Sequence, residues 1–170
     1  MPNVSWKRSS VLLASLVGIA VGAQGVAAGT APTRLVLNQD VSIENGWARV
    51  FVQSGEVTEH RQLDHTEPYC SVEIKQVASA DNQFMVAKDE FEIGRIQRKH
   101  PDGAGIVPAF MNLEEDPGPY DHEIDLYLTS ASQPDVIRLR CNKTVYDPWP
   151  EEIRFEEITA ALGGVAELRY

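Results

Sequence analysis

The densest group of side chains able to do chemistry is Glu59-His60, Asp64-His65 and Glu67, which set imidazoles and carboxylates within nine residues. Such a mixture suits zinc, copper or nickel. His60 and His65, however, are five positions apart, which puts them on opposite faces of a strand and out of register on a helix. The group reads as a solvated loop. Glu114-Glu115-Asp116, followed by Pro-Gly-Pro and Asp121, offers hard oxygen ligands of the kind calcium takes, but it lacks the alternating acids and central glycine of a calcium loop. It reads as exposed acid. His100, beside a Pro-Asp-Gly turn, and His122, at the start of an alternating run, read as structural residues. Gly-x-Ser-x-Gly, His-Glu-x-x-His and a phosphate-cradling glycine loop are all absent from the sequence. The residues therefore nominate no catalytic group, no cofactor and no metal ligand. An enzyme would have to assemble its site from loops far apart in the chain.

The remaining reactive pair is Cys70 and Cys141, the only cysteines. They are not spaced as Cys-x-x-Cys, so a redox-active dithiol is not indicated, and an even count in an exported chain reads as one disulfide. In the chain-entropy view, closing a loop of about 71 residues contributes on the order of 4 kcal/mol.

Export is read from the first 28 residues, in which Lys7 and Arg8 precede an apolar run, Val11 to Ala23, and a small-residue end, Val26-Ala27-Ala28. This is the layout of a cleavable signal peptide, with the cut expected between Ala28 and Gly29. The apolar run is shorter than the roughly 20 residues a stable membrane span needs. No cysteine lies near the cut, so neither a stable membrane span nor a lipid anchor is expected. Losing Lys7 and Arg8 leaves 13 cations against 25 acids, a net charge of −12. That surface repels nucleic acid and anionic lipid and favours basic partners or cations.

Residues 29–33 form a small, polar lead-in that is expected to be flexible, and 34–170 are long enough for one domain with one core. Alternation dominates that domain. Trp47 to Gln53 reads as a strand running into a Ser54-Gly55 reversal. In the next run Cys70, Val72 and Ile74 share one face, with Ser71, Glu73 and Lys75 on the other. Ile124, Leu126 and Leu128 form a third apolar phase, and Ile137, Leu139 and Cys141 a fourth. Both cysteines thus point inward. Arg34 to Leu37, Val41 to Ile43, Phe84 to Ala87 and Phe91 to Ile96 complete seven or eight strands. Only the tail is helical: Phe155, Ile158 and Leu162 follow helical spacing, Glu156 and Glu157 suit its positive end, and Gly163-Gly164 ends it. The fold class is mainly β, a sandwich or barrel of mostly antiparallel strands with a short C-terminal helix and one disulfide. An immunoglobulin-like topology fits the cysteine spacing but not the tryptophans, which lie outside the Cys70–Cys141 interval. Between 99 and 120 the alternation yields to a Gly/Pro-rich loop in which Ile106, Val107, Phe110 and Met111 either enter the core or form a contact surface.

Ala48 to Gly55, Pro68-Tyr69-Cys70-Ser71-Val72-Glu73, Gln133 to Cys141 and Glu157 to Gly163 together resemble a group of exported proteobacterial proteins of uncharacterised function. The resemblance spans most of the mature chain, in the same order. It implies a periplasmic setting and the Cys70–Cys141 pairing, and carries no activity. Taken together, these readings point to a periplasmic, non-enzymatic binding or envelope-associated protein whose partner is an unknown protein or small ligand. Two alternatives stay open: an acidic inhibitor or immunity-type protein that blocks a basic enzyme, and a hydrolase with a site built from separated loops.

Overall fold

The computed structural model describes residues 30–79, 84–99, 120–146 and 152–170. Residues 1–29, with the expected signal peptide and its cut between Ala28 and Gly29, and residues 100–119 with His100 and Glu114 to Asp116, lie outside them. Among the described residues there are ten strands. Strands β1 (Arg34–Leu37), β3 (Arg49–Gln53), β4 (Glu56–Thr58), β5 (Tyr69–Ile74), β7 (Asp89–Lys99), β8 (Tyr120–Thr129), β9 (Val136–Val145) and β10 (Ala166–Arg169) form one sheet in the order β10-β1-β7-β8-β9-β5-β3-β4. Every neighbouring pair in it is antiparallel. The sheet curls into a half-barrel. Strands β2 (Val41–Ile43) and β6 (Phe84–Val86) pair separately, and helix α1 covers Phe155–Leu162. No helix among the described residues is long and apolar enough to cross a membrane.

The concave face takes the apolar phase of each strand. Leu35 and Leu37, Val50 and Val52, Val72 and Ile74, Ile124, Leu126 and Leu128 are all buried there with Phe91 and Leu139. Val41, Ile43 and Val86 of the small sheet join the same core. Helix α1 lies against β3, β5 and β10, bringing the two ends of the curled sheet onto one element. Its Ile158, Ala161 and Leu162 complete the core. Glu157 accepts from the Arg154 backbone N–H (2.9 Å) and from Lys143 Nζ (2.8 Å), which fixes the first turn.

Two bulges shift the phase of the alternation. In β7, Ile93 faces Leu128 and Arg95 faces Tyr127, so Gly94 is unpaired and Ile96 rather than Arg95 returns to the inner face. In β9, Glu73 faces Arg138 but Ile74 faces Val136. Ile137 is therefore the extra residue, and the inward position expected for it belongs to Val136, which is buried.

The disulfide joins Cys70 to Cys141, which face each other directly in the β5–β9 pair with Cα atoms 4.0 Å apart. It is thus a bond between hydrogen-bonded neighbours in one sheet, which removes the immunoglobulin-like reading with its bridge between sheets. The strands at either edge, β4 and β10, were not anticipated from the alternation.

One close approach locks helix to sheet. Ser54 (φ 52°) and Gly55 (φ 82°) make a two-residue reversal between β3 and β4, the left-handed pair that a tight hairpin requires. Gly55 N–H donates to the Ala161 carbonyl at 2.9 Å. Gly163, at φ 50°, ends the helix against that turn so closely that a Cβ on it would lie 2.4 Å from Gly55 Cα.

Two outcomes follow. Gly163→Ala is expected to destabilise the fold by more than about 1 kcal/mol, through positive φ and collision with backbone. Gly164→Ala, whose Cβ would meet open space, is expected to leave it nearly unchanged, so equal urea midpoints for the two variants would remove the contact from the account. Cys70→Ser is expected to cost about 2–5 kcal/mol. Native protein should resist thiol alkylation without reductant, since neither cysteine is exposed or free; labelling of both would contradict the bond.

Candidate functional site

The convex face carries the polar phase of the same strands, and it is not a simple solvated surface. Ser71, Glu73 and Asp125 are buried there, Asp125 with no exposed surface at all. Register explains why. Glu73 of β5 lies opposite Arg49 on one side and Arg138 on the other, while Asp125 of β8 lies opposite Arg140. Each carboxylate therefore sits under guanidinium groups from neighbouring strands. Arg140 Nε donates to Asp125 at 2.8 Å, Arg138 Nη1 reaches it at 3.3 Å, and Lys99 Nζ lies 3.3 Å away. Arg138 Nε donates to Glu73 at 2.5 Å and Arg49 Nη1 stands 3.2 Å from it. Glu123 binds Lys99 and lies 3.1 Å from Arg140 Nη2.

Burial alone would raise the Asp125 carboxyl, but the hydrogen bond and charge of Arg140, with the charges of Arg138 and Lys99, outweigh it and hold the group below the ordinary carboxylate range. Burial would likewise lower Arg140. Its hydrogen bond to Asp125 and the charges of Glu73, Asp125 and Glu123 win, and its pKa is raised. Asp125 and Arg140 thus each favour the charged form of the other.

Beside it, still on the convex face, five rings form a continuous cluster. Trp47 meets Phe51 edge-on at 5.6 Å between centroids, and His60 lies 5.1 Å from Trp47 and 5.2 Å from Phe51. His65 stands 6.0 Å from His60 and 5.3 Å from Tyr69. The segment expected to be a solvated loop is thus a single 3₁₀ turn, His60–Gln62, and a following reversal that lay two exposed imidazoles against the aromatic residues of β3 and β5. Asp64 accepts from the Thr66 hydroxyl (2.6 Å) and backbone N–H (2.9 Å), and those bonds lower its pKa. Glu59 is held by Arg61. Among the described residues no three or more His, Cys, Asp or Glu side chains are placed to hold a metal.

A cleft of about 250 Å³ opens at this cluster. Trp47, Phe51 and His60 line it with Glu44, Arg49 and Glu59. The other sequence candidates lie elsewhere. His122 is buried on the core face next to Ile124, Asp121 accepts from the Thr144 hydroxyl at 2.6 Å, and the cysteines lie inside the half-barrel, on the opposite side of the sheet from the cleft. Trp47, Phe51, Arg49, Glu73 and Asp125 were not singled out from the sequence. The available signal was the Arg138-x-Arg140 pair flanked in neighbouring strands by Glu73 and by Glu123-x-Asp125.

No family model, curated protein or solved structure matches the chain.

Removing one member of a buried ion pair strands its partners, at about 3–5 kcal/mol, and Asp125→Asn is expected to fall in that range at neutral pH. Because the folded-state pKa of Asp125 is depressed, its stabilisation is present above the ordinary Asp value of about 4 and is lost as pH falls below it. The gap between wild type and variant in urea unfolding should therefore narrow on acidification. A gap independent of pH would show that Asp125 acts through packing rather than charge.

Proposed function

We propose that this chain is an exported periplasmic binding protein with no catalytic role of its own, and that its ligand site is the convex-face cleft at Trp47, Phe51 and His60. The observation that carries the reading is a concave site walled by three rings and rimmed by charge, on a sheet whose opposite face is filled by its core. Small-ligand sites combine apolar and aromatic walls with a few placed polar groups. At about 250 Å³ the cleft lies just under the roughly 300–1,000 Å³ of typical ligand pockets, so it suits one small group. Of the charged residues that line it, Arg49 is engaged by Glu73, Glu59 pairs with the exposed Arg61, and Glu44 is exposed. The layout of residues 1–28 and the two-cysteine pattern support the compartment.

Fractionation tests the setting: the protein is expected in the periplasm with Gly29 as its first residue by intact mass, and retention of residues 1–28 in the inner membrane would refute it. Proton–nitrogen correlation spectra of the mature protein, titrated with low-molecular-weight periplasmic extract, test the site. The Trp47 indole and the Arg49 and His60 amides are expected to move together. Shifts confined to other faces would overturn the assignment.

A further inference from the structure

The cleft's wall has a chemistry that selects among small ligands. Trp47, Phe51 and His60 line it with Val50 and Val57, and the three rings pack on one another with centroids 5.1–5.6 Å apart. Aromatic π surface bordering a cleft attracts weakly hydrated cations. The charged lining agrees in sign. Glu44 and Glu59 contribute two carboxylates, while the one lining cation, Arg49, is drawn away to Glu73 at 3.2 Å. The whole mature chain, at −12, adds attraction of the same sign.

The structure also holds a stand-in for such a ligand. Arg61 sends its guanidinium to Glu59, with Nε 2.5 Å from Oε2, while its side chain stays 80% exposed. A delocalised cation thus already pairs with Glu59, one of the two acids that line the cleft. An exposed ion pair of this kind contributes little to stability, which makes Arg61 easy to displace.

We infer that the cleft binds a small organic cation of the quaternary ammonium or guanidinium type, its head group against Trp47, Phe51 and His60 and its charge beside Glu44 and Glu59, displacing Arg61 from Glu59. The inference rests on the cleft being the ligand site and adds the class of ligand.

The probes are choline, its neutral isostere dimethylbutanol, and benzoate, each followed by the Trp47 indole resonance of the folded mature protein, with Trp149→Phe used to assign it. Choline is expected to produce a saturable shift, with dimethylbutanol roughly tenfold weaker, as a desolvated cation–π contact implies, and benzoate weaker still. Trp47→Ala should abolish choline-induced shifts of the Arg49 and His60 amides, and Glu44→Gln should weaken binding severalfold. Arg61→Ala should tighten it, because the internal competitor is gone; a purely structural Arg61 would not do this. Equal or stronger binding of dimethylbutanol or benzoate at Trp47 would overturn the cationic class and leave the cleft as a ligand site. No response to any of the three probes would also overturn it, and the extract titration would then decide the cleft separately. Unchanged or weaker choline binding in Arg61→Ala would overturn the displacement.

Discussion

The register of β5 against β9 is the constraint on which the rest of this structure depends. A slip of one residue in a strand pair exchanges its two faces. Here both faces are occupied by groups that tolerate no exchange, since Val72 faces Leu139 in the core while Glu73 faces Arg138 outside. Cys70 and Cys141, opposite each other, make that register covalent. From this pair the order extends both ways, through β3 to the hairpin that meets Gly163, and through β8 and β7 to β1 and, beyond it, β10.

The ionic lattice depends on the same register for a different reason. Moving two carboxylates out of water costs several kcal/mol each, and only close, multiple donors compensate. Arg138 and Arg140 alternate with Leu139 and Cys141, so the spacing that turns the core residues inward turns both guanidinium groups outward, over Asp125 on one side and Glu73 on the other. The gain is specificity of strand pairing as much as stability: a misregistered sheet would bury Glu73 and Asp125 without partners.

Much of the fold was legible because it depends on local pattern. Alternation located β1, β2, β3, β5, β8 and β9 and, in part, β6 and β7, Ser54-Gly55 marked the hairpin, and the spacing of Phe155, Ile158 and Leu162 with the Gly163-Gly164 stop gave the helix. What was hidden depends on neighbours. β4 and β10 are three and four residues long and exist through pairing with β3 and β1. Ile137 looked inward because a bulge leaves no mark in an alternating run. Ser71, Glu73 and Asp125 looked solvated because each strand alone shows a polar face, and only adjacency supplies the arginines that cover it. The cleft was hidden for the same reason, since Trp47, Phe51, His60, His65 and Tyr69 come from β3, β5 and the segments beside them.

That adjacency also explains why the site lies outside the half-barrel. Curled sheets commonly hold ligands on their concave side, but here Ile158 and Leu162 of α1 fill that space with no exposed surface remaining. The convex face could have been left to water. Instead the arginines of β9 are drawn inward by Glu73 and Asp125, forming a rigid floor, and Arg49 is tied into that floor at its margin. Arg49, which lines the cleft, has its charge offset by Glu73, so the lattice that fixes strand register also bears on the charge of the cleft beside it. Rings held by packed neighbours would lose little freedom to the ligand proposed above. Arg61, by contrast, is exposed and joins the cleft's margin through a single surface ion pair to Glu59, whereas Arg49 is tied to the buried Glu73.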